Sequence, residues 1–243
     1  MRKFGAIWVL ALALMAAGCA ATTTDEDGHV AINDPFEGMN RFFFDLNQRL
    51  DRNAGRPAAT AYRETVPGPV RGGLHNLLDN LGGPVTVAND LLQVRLKSAG
   101  IAAGRFLVNT TIGVAGIFDV ASDWGMPARN RDFGETMGTY GVPPGPYLVL
   151  PFRGSTDMRD FAGNYLDGFA TPLRYVRYDG RNYVGLMKST LGSMDNRANN
   201  LVTFRDIERA SVDYYATMRT LYMERRARLI EDTPVRTAEL PDF

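Results

Sequence analysis

The chain carries one cysteine, Cys19, in 243 residues, so no disulfide can form within it. Histidine is almost as scarce. His29 falls in a polar stretch and His75 in a glycine-rich amphipathic one, so each reads as a surface or satisfied side chain rather than a base. HExxH and Cys/His clusters are missing, which removes the usual grounds for zinc. GxGxxG and the P-loop are missing too, and neither Gly154-Ser155 nor Gly192-Ser193 has the GxSxG spacing of a nucleophile elbow. The carboxylate pairs Asp132/Glu135 and Asp157/Asp160 lie near expected helix starts, where anions suit the dipole and cap free amides. The expectation is a protein with no catalytic residue, no metal and no cofactor. Nor is there a basic excess: 27 Lys and Arg balance 27 Asp and Glu, which excludes an electrostatic case for nucleic acid.

Arg2 and Lys3 precede an apolar run from Ile7 to Ala17 that ends in Gly18-Cys19, the layout of an export signal too short to span a bilayer comfortably. Ala16-Ala17-Gly18-Cys19 resembles a bacterial lipobox, with Ala16 where that motif prefers Leu. Cys19 is therefore the expected lipidation site, two or more acyl chains giving stable attachment where one does not. By resemblance to lipoprotein sorting, Ala20 after the cysteine points to the outer membrane. Residues 1–18 read as the signal peptide and 19–33 as a polar, acidic tether. Residues 34–231 read as one helical domain and 232–243 as an aperiodic tail. The 225 residues beyond the leader suffice for a real core, and no apolar run among them reaches 18.

Periodicity makes the fold all-α. Asp34 is placed to cap a first helix with Pro35 at its first position, and Phe36, Met39, Phe43, Leu46 and Leu50 form its stripe. Phe42 and Phe44 widen that stripe, so Phe36, Phe42, Phe43 and Phe44 face either a core or acyl chains, while Asn40, Asp45 and Asn47 keep the rest wetted. The pattern predicts helices over Val70–Leu81, Val85–Val94, Lys97–Ile112, Thr156–Leu166, Asn182–Leu201 and Phe204–Ile230. Small Ala102, Ala103 and Gly104 in the third allow close approach of a backbone or an acyl chain. Glu224, Arg225, Arg226 and Arg228 crowd the end of the last helix and read as a solvated face.

Between Gly134 and Gly154 stand nine Gly or Pro residues around the apolar run Pro146 to Phe152, a density that excludes a helix and predicts a shaped loop. Gly138, Gly141 and Gly145 are its candidate hinges. Tyr147, Leu148 and Leu150 need something apolar to touch, either the chain's own core or a lipid.

Three segments in register carry a resemblance: Asn33-Asp34-Pro35-Phe36-Glu37-Gly38-Met39-Asn40-Arg41, then Asn109 to Ala121, then Phe133 to Val142 followed by Gly145-Pro146-Tyr147. Together with Leu150-Pro151-Phe152, Gly154-Ser155 and Arg159-Asp160 they resemble the MlaA (VacJ) lipoprotein family. The resemblance implies a multi-helix ring in the inner leaflet of the outer membrane around a central amphipathic channel, with the Gly/Pro-rich segment as a hairpin loop. It implies that mislocalised phospholipid passes from the outer leaflet through the channel to a periplasmic carrier of the MlaC type. It also implies a trimeric porin as partner. On this reading Asn109, Thr110 and Thr111 are lipid-path candidates beside Val108 and Ile112, together with Tyr147, Leu148 and Leu150. Phe36, Phe42, Phe43 and Phe44 are membrane-rim candidates. Two alternatives stay open: a structural porin-associated lipoprotein without a lipid path, and a weak lipid hydrolase.

Overall fold

A computed structural model describes residues 32–171, 174–175 and 181–231. The leader, Cys19, the tether up to residue 31 and the tail from 232 lie outside the described residues. The helices are α1 (Glu37–Leu50), α2 (Arg56–Thr65), α3 (Gly68–Asn80), α4 (Gly83–Leu92), α5 (Leu96–Thr111), α6 (Val120–Asp123), α7 (Phe133–Thr139), α8 (Met158–Ala170), α9 (Arg181–Asn199), α10 (Leu201–Ala210) and α11 (Tyr214–Ile230). A π-helical turn, Asp51–Gly55, joins α1 to α2. The only strands among the described residues, β1 (Tyr147–Leu150) and β2 (Gly154–Asp157), pair antiparallel with Tyr147 opposite Asp157 and Leu150 opposite Gly154.

Packing between elements closes a circuit. From α1 it runs through the π turn to α2, then α9, α3, α5, α4, α7, α11, β2 and β1, and so back to α1. The closure joins the first helix to the last. Arg41 on α1 bonds both oxygens of Asp213, and Asp34 accepts from Tyr215 and Arg219 on α11. Asp34 is thus not the cap of α1, as its position suggested. Its carboxylate is buried and ion-paired, and α1 starts at Glu37 with no side-chain cap.

The apolar core sits at this closure. Phe44, Tyr147, Val149, Tyr215, Met218, Tyr222 and Met223 pack together, with Phe43 partly buried against them. Phe44 meets Tyr214 and Tyr215 edge to face at 5.4 and 5.5 Å, a favoured aromatic geometry. The N-cap residue Phe36 and the three phenylalanines of α1 therefore divide: Phe44 is core, and Phe36 and Phe42 are exposed.

Two asparagines on α1 correct the expectation of a wetted face. The Asn40 amide is fully buried, donates to the Tyr147 carbonyl at 2.9 Å and accepts from the Val149 amide at 2.9 Å, so it acts as a neighbouring strand for β1. Asn47, two turns on and so on the same face, donates to the Leu150 carbonyl and accepts from the Phe152 amide. A side-chain amide carries both a donor and an acceptor, which is what an unpaired strand edge needs.

The segment expected to contain no helix holds α7. Asp132 caps it by accepting from the Glu135 amide at 2.7 Å, and Gly134 lets it cross α8 at Gly163. Asp157 caps α8 in the same way, by accepting from the Asp160 amide, which moves the start of the expected helix to Met158 and gives Thr156 to β2, while its end extends to Ala170. The expected Phe204–Ile230 helix is two helices, broken at Ser211–Asp213, where Asp213 caps α11.

Arg226 is not on a solvated face. It bonds both oxygens of Asp132 at 2.7 and 2.9 Å and reaches Asp160, which also accepts from Tyr222 at 2.7 Å. Around this lock, burial pushes Glu135 up to about 7 against the pull of Arg131, and burial with the adjacent Asp160 pushes Asp157 up to about 7. Both values lie above the unfolded 4.5 and 3.8, so the folded state holds these protons more tightly and loses that stability as pH climbs through 7. Asp119 works in the opposite sense, held at about 2, so its contribution is lost on acidification below about 4. The midpoint of urea unfolding is therefore expected to peak near about pH 5 and to decline towards 7.5. Glu135→Gln should flatten that decline, and an unchanged slope would contradict the assignment.

Candidate functional site

Polar side chains dominate the interior. Among the largest fully buried side chains, Glu135, Asn40, Asn89, Asp90, Asp157 and Asp195 accompany the single aromatic Tyr147. Each finds partners. The Thr136 hydroxyl donates to Asn89 at 2.8 Å and accepts from Gln93 at 2.9 Å, while the Asn89 amide donates to Asp167. Large apolar side chains lie outside instead. Phe42, Leu107, Ile112, Val114, Phe118, Trp124 and Phe152 are all exposed, Phe152 at 85%. This inverts the usual order of a soluble domain, in which exposed apolar residues are scattered singly.

Two cavities run along α5. The wider, about 580 Å³, lies between the end of α4, the first turns of α5 and the connection to α7, with Asp90, Val94, Arg95, Leu96, Lys97, Ser98, Ile101, Pro127 and Arg131 in its wall. The narrower, about 210 Å³, is lined by His75, Asn76, Asp79, Asn80, Thr86, Phe106, Asn109, Asp119 and Asn130. Ala102, Arg105 and Arg129 line both, so the two adjoin along α5. The small residue on α5 makes room there. Its mouth is apolar: Val94 is 72% and Leu96 69% exposed.

The wall is held by ion pairs. Arg105 bonds both oxygens of Asp119 at 3.0 Å and the Ser122 hydroxyl, tying α5 to α6. Burial works to raise the Asp119 carboxyl, but hydrogen bonds from Ser122, Asn109 and Arg105 hold it at about 2, so it stays charged at any physiological pH. Arg131 pairs with Asp90 at 3.2 Å and with Glu135.

The structure separates the residues that the sequence grouped. Asn109 lines the narrower cavity, but its amide is spent on Asp119 and on the Ala121 amide, so it shapes the wall. Thr110 is exposed and accepts from Asn80, and exposed Thr111 donates to the Leu107 carbonyl. Tyr147 lies in the core with its hydroxyl on Ser155, so it faces the chain's own aromatics rather than a passage. Leu148 and Leu150 are half-buried. Gly141 and Gly145 take left-handed backbone at φ +83° and +71°, the region where glycine is at ease. Gly138 does not; a Cβ there would meet Ile230 at 2.5 Å, so it is a packing residue between α7 and α11.

His75 bonds Asp195 at 2.8 Å, the same carboxyl that accepts from Tyr62 and Asn199. Among the described residues no cluster of three His, Cys, Asp or Glu could hold a metal, and no helix is long and apolar enough to cross a membrane. The basic wall was missed in the sequence because Arg95, Lys97, Arg105, Arg129 and Arg131 are spread over three segments that only the fold brings together. The exposed apolar turn Ile112 to Phe118 was missed as well. Its signal is the glycine pair Gly113 and Gly116, which ends a helix in the middle of an apolar run.

Comparison with known proteins agrees with this architecture. The family model described as MlaA lipoprotein matches residues 32–229. The intermembrane phospholipid transport system lipoprotein MlaA of Escherichia coli K12 is 35% identical over 93% of this chain and 88% of its own. That of Haemophilus influenzae is 34% identical over 87% and 84% respectively. A solved structure described under maintenance of bacterial outer membrane lipid asymmetry superposes with a TM-score of 0.75 at 33% identity, covering 82% of this chain and 99% of that one. The chain belongs to the MlaA lipoprotein family.

Proposed function

We propose that this chain carries phospholipid between the outer membrane and the periplasm, by taking lipid that has strayed to the outer leaflet through its α5 passage. The observation that carries this reading is the inversion of polarity, with charge and amides enclosed and phenylalanine, leucine and tryptophan outside. A chain seated in one leaflet needs an outward apolar rim. Phe36 and Phe42 belong to that rim, as do the turn around Phe118 and Trp124, whereas Phe44 supports it from the core. Passing a two-tailed lipid also needs a wetted path beside apolar surface, as along α5. Anchorage through acylated Cys19 would hold the ring at the periplasmic face. The further partners in this reading are a trimeric porin that steadies the ring and a soluble lipid carrier that receives the cargo. Transport of this kind makes and breaks no covalent bond.

The test is a host lacking its own copy, scored for resistance to detergent with a chelator and for outer-leaflet phospholipid. Complementation by this chain is the expected result, and a chain that binds porin without lowering outer-leaflet lipid would leave only the scaffold reading. In the same assay Gly141→Val is expected to stay folded yet clear lipid poorly. A side chain at φ +83° costs about 1–3 kcal/mol of local strain, and a Cβ on Gly141 would meet nothing within 4 Å, so the change falls on the shape of that segment rather than on its packing. Wild-type resistance in Gly141→Val would remove the 140–146 segment from the lipid path.

A further inference from the structure

A stretch without charge runs from Phe106 to Phe118, bracketed by Arg105 and Asp119. The two brackets pair with each other at 3.0 Å, so the base of the stretch is neutral as well. Its tip is the turn that follows α5, where Ile112, Val114, Ile117 and Phe118 all stand exposed, Val114 at 57% and Phe118 at 61%. Water is a poor neighbour for such a tip.

The turn is also strained and fixed. Val114, Ala115 and Gly116 take three successive left-handed conformations, at φ +52°, +60° and +96°, a region that a β-branched residue avoids. A Cβ on Gly113 would overlap the Phe118 carbonyl, and one on Gly116 would overlap Asn80, so the backbone is closely held on both sides. Strain of this sort persists where the surroundings over-determine it, and it marks functional positions.

Its polar groups are turned inward. Of the seven amides from 112 to 118, five donate to carbonyls of the same stretch: Ile112 and Gly113 to Val108, Ala115 to Thr110, Ile117 to Val114 and Phe118 to Gly113. Asn80 and Asn76 on α3 donate to the Ala115 and Ile117 carbonyls, and the Thr111 hydroxyl is spent on Leu107. A turn in water has no need of this, and a protein partner would want free donors and acceptors, about one hydrogen bond per 100–200 Å². Hydrocarbon demands it, because each unsatisfied backbone group is costly there.

Resting on the transport reading above, we propose that this turn is buried in the acyl layer of the leaflet and forms the deepest point of the chain. Exposed Trp124, just beyond α6, then stands at the level of the head groups, where tryptophan collects. Asn76 and Asn80 hold the turn, Asn109 holds Asp119 at its base, and all three line the narrower cavity. The inserted tip therefore sets the tails of the leaflet beside that cavity.

The probe is a vesicle of phosphatidylethanolamine and phosphatidylglycerol, doped with phosphatidylcholine brominated either midway along the tails or near their carbonyl ends. Full-length protein is reconstituted in it with Phe118→Trp as the reporter and Trp124→Phe to remove the other tryptophan outside the leader. The reporter's emission should shift to the blue and be quenched more by the midway bromine. Trp124 in the wild type should instead be quenched more by the bromine near the carbonyls. Asparagine suits left-handed backbone, so Val114→Asn should melt at or above the wild type in neutral detergent; in the vesicle it should shift the reporter to the red and lose the midway quenching. Should the Phe118→Trp protein misfold, Val114→Trp carries the reporter in its place. A reporter quenched by aqueous iodide and by neither bromine would overturn the insertion. Shielding from iodide only after a trimeric porin is added would show that protein covers the turn, and overturns it too. Lipid transfer between vesicles by the wild type separates this proposal from the reading beneath it. Transfer with a reporter in water ends the insertion alone, midway quenching without transfer ends the transport reading alone, and neither result ends both.

Discussion

Replacing Arg226 with methionine is expected to cost about 3–5 kcal/mol, the loss typical of removing one partner from a buried ion pair. The guanidinium stands between two carboxylates from different elements, Asp132 at the start of α7 and Asp160 in the first turn of α8, and itself rises from α11. Methionine fills most of the space but leaves Asp160 buried beside Asp157 with one cation, Arg159, in place of two. Repulsion between Asp157 and Asp160 then has less to oppose it, and protonation becomes the easier outcome. The loss should therefore be greatest at neutral pH and shrink towards pH 5, a sign opposite to ordinary acid denaturation. Urea unfolding at both pH values measures it. Arg226→Lys keeps the charge but not the two-pronged contact and should fall between. A methionine variant as stable as the wild type at neutral pH would mean that the cation does not hold the three elements together.

Gly163→Val is expected to be comparably damaging, about 3 kcal/mol or more, for a reason unconnected with charge. A Cβ on Gly163 would stand 2.3 Å from the amide nitrogen of Gly134 and 2.7 Å from its Cα. Backbone atoms cannot swing aside as a lysine tip can, so α7 and α8 must part. Glycine inside a helix costs roughly 1 kcal/mol relative to alanine, and the chain accepts that cost at both Gly134 and Gly163. Even Gly163→Ala, which recovers that propensity, should be destabilising, because the overlap outweighs about 1 kcal/mol. Near-wild-type melting of either variant would show that the helices can slide apart freely. Parting them also moves Asp132 relative to Asp160, so the two predictions are coupled and the double variant should cost less than the sum.

The elements that the sequence disclosed are those with a regular apolar repeat: α3, α4 and α5 begin and end within two residues of their expected bounds. Repetition also misled. Ile207, Ala210, Tyr214 and Met218 keep helical spacing straight through the break at Ser211–Asp213, and only the capping habit of Asp213 distinguishes two helices from one. Helix α7 escaped because its glycines look like loop residues until the partner they admit is known. Asn40 and Asn47 looked wetted because sequence cannot show that a strand more than 100 positions away offers them backbone groups. The apolar character of the rim was partly legible in the phenylalanines of α1, but which of the four turned outward depended on α11. The cavities beside α5 were legible only in part: Asn109 and Ala102 were singled out and do line them, but the rest of the wall is assembled from α3, α4 and the 125–131 connection.

The closure of the circuit by α1 and α11 bears on how the chain reaches this state. Asp34 waits for Tyr215 and Arg219, and Arg41 for Asp213, partners separated by some 170 to 185 positions. Contacts of such separation form late and slowly, because loop entropy must be overcome before they contribute. As the chain is made, the aromatic core has nothing to close on until the last helix has emerged. Phe44 and Tyr147 stay uncovered for that whole interval, which makes the unfinished chain a natural client for holding chaperones.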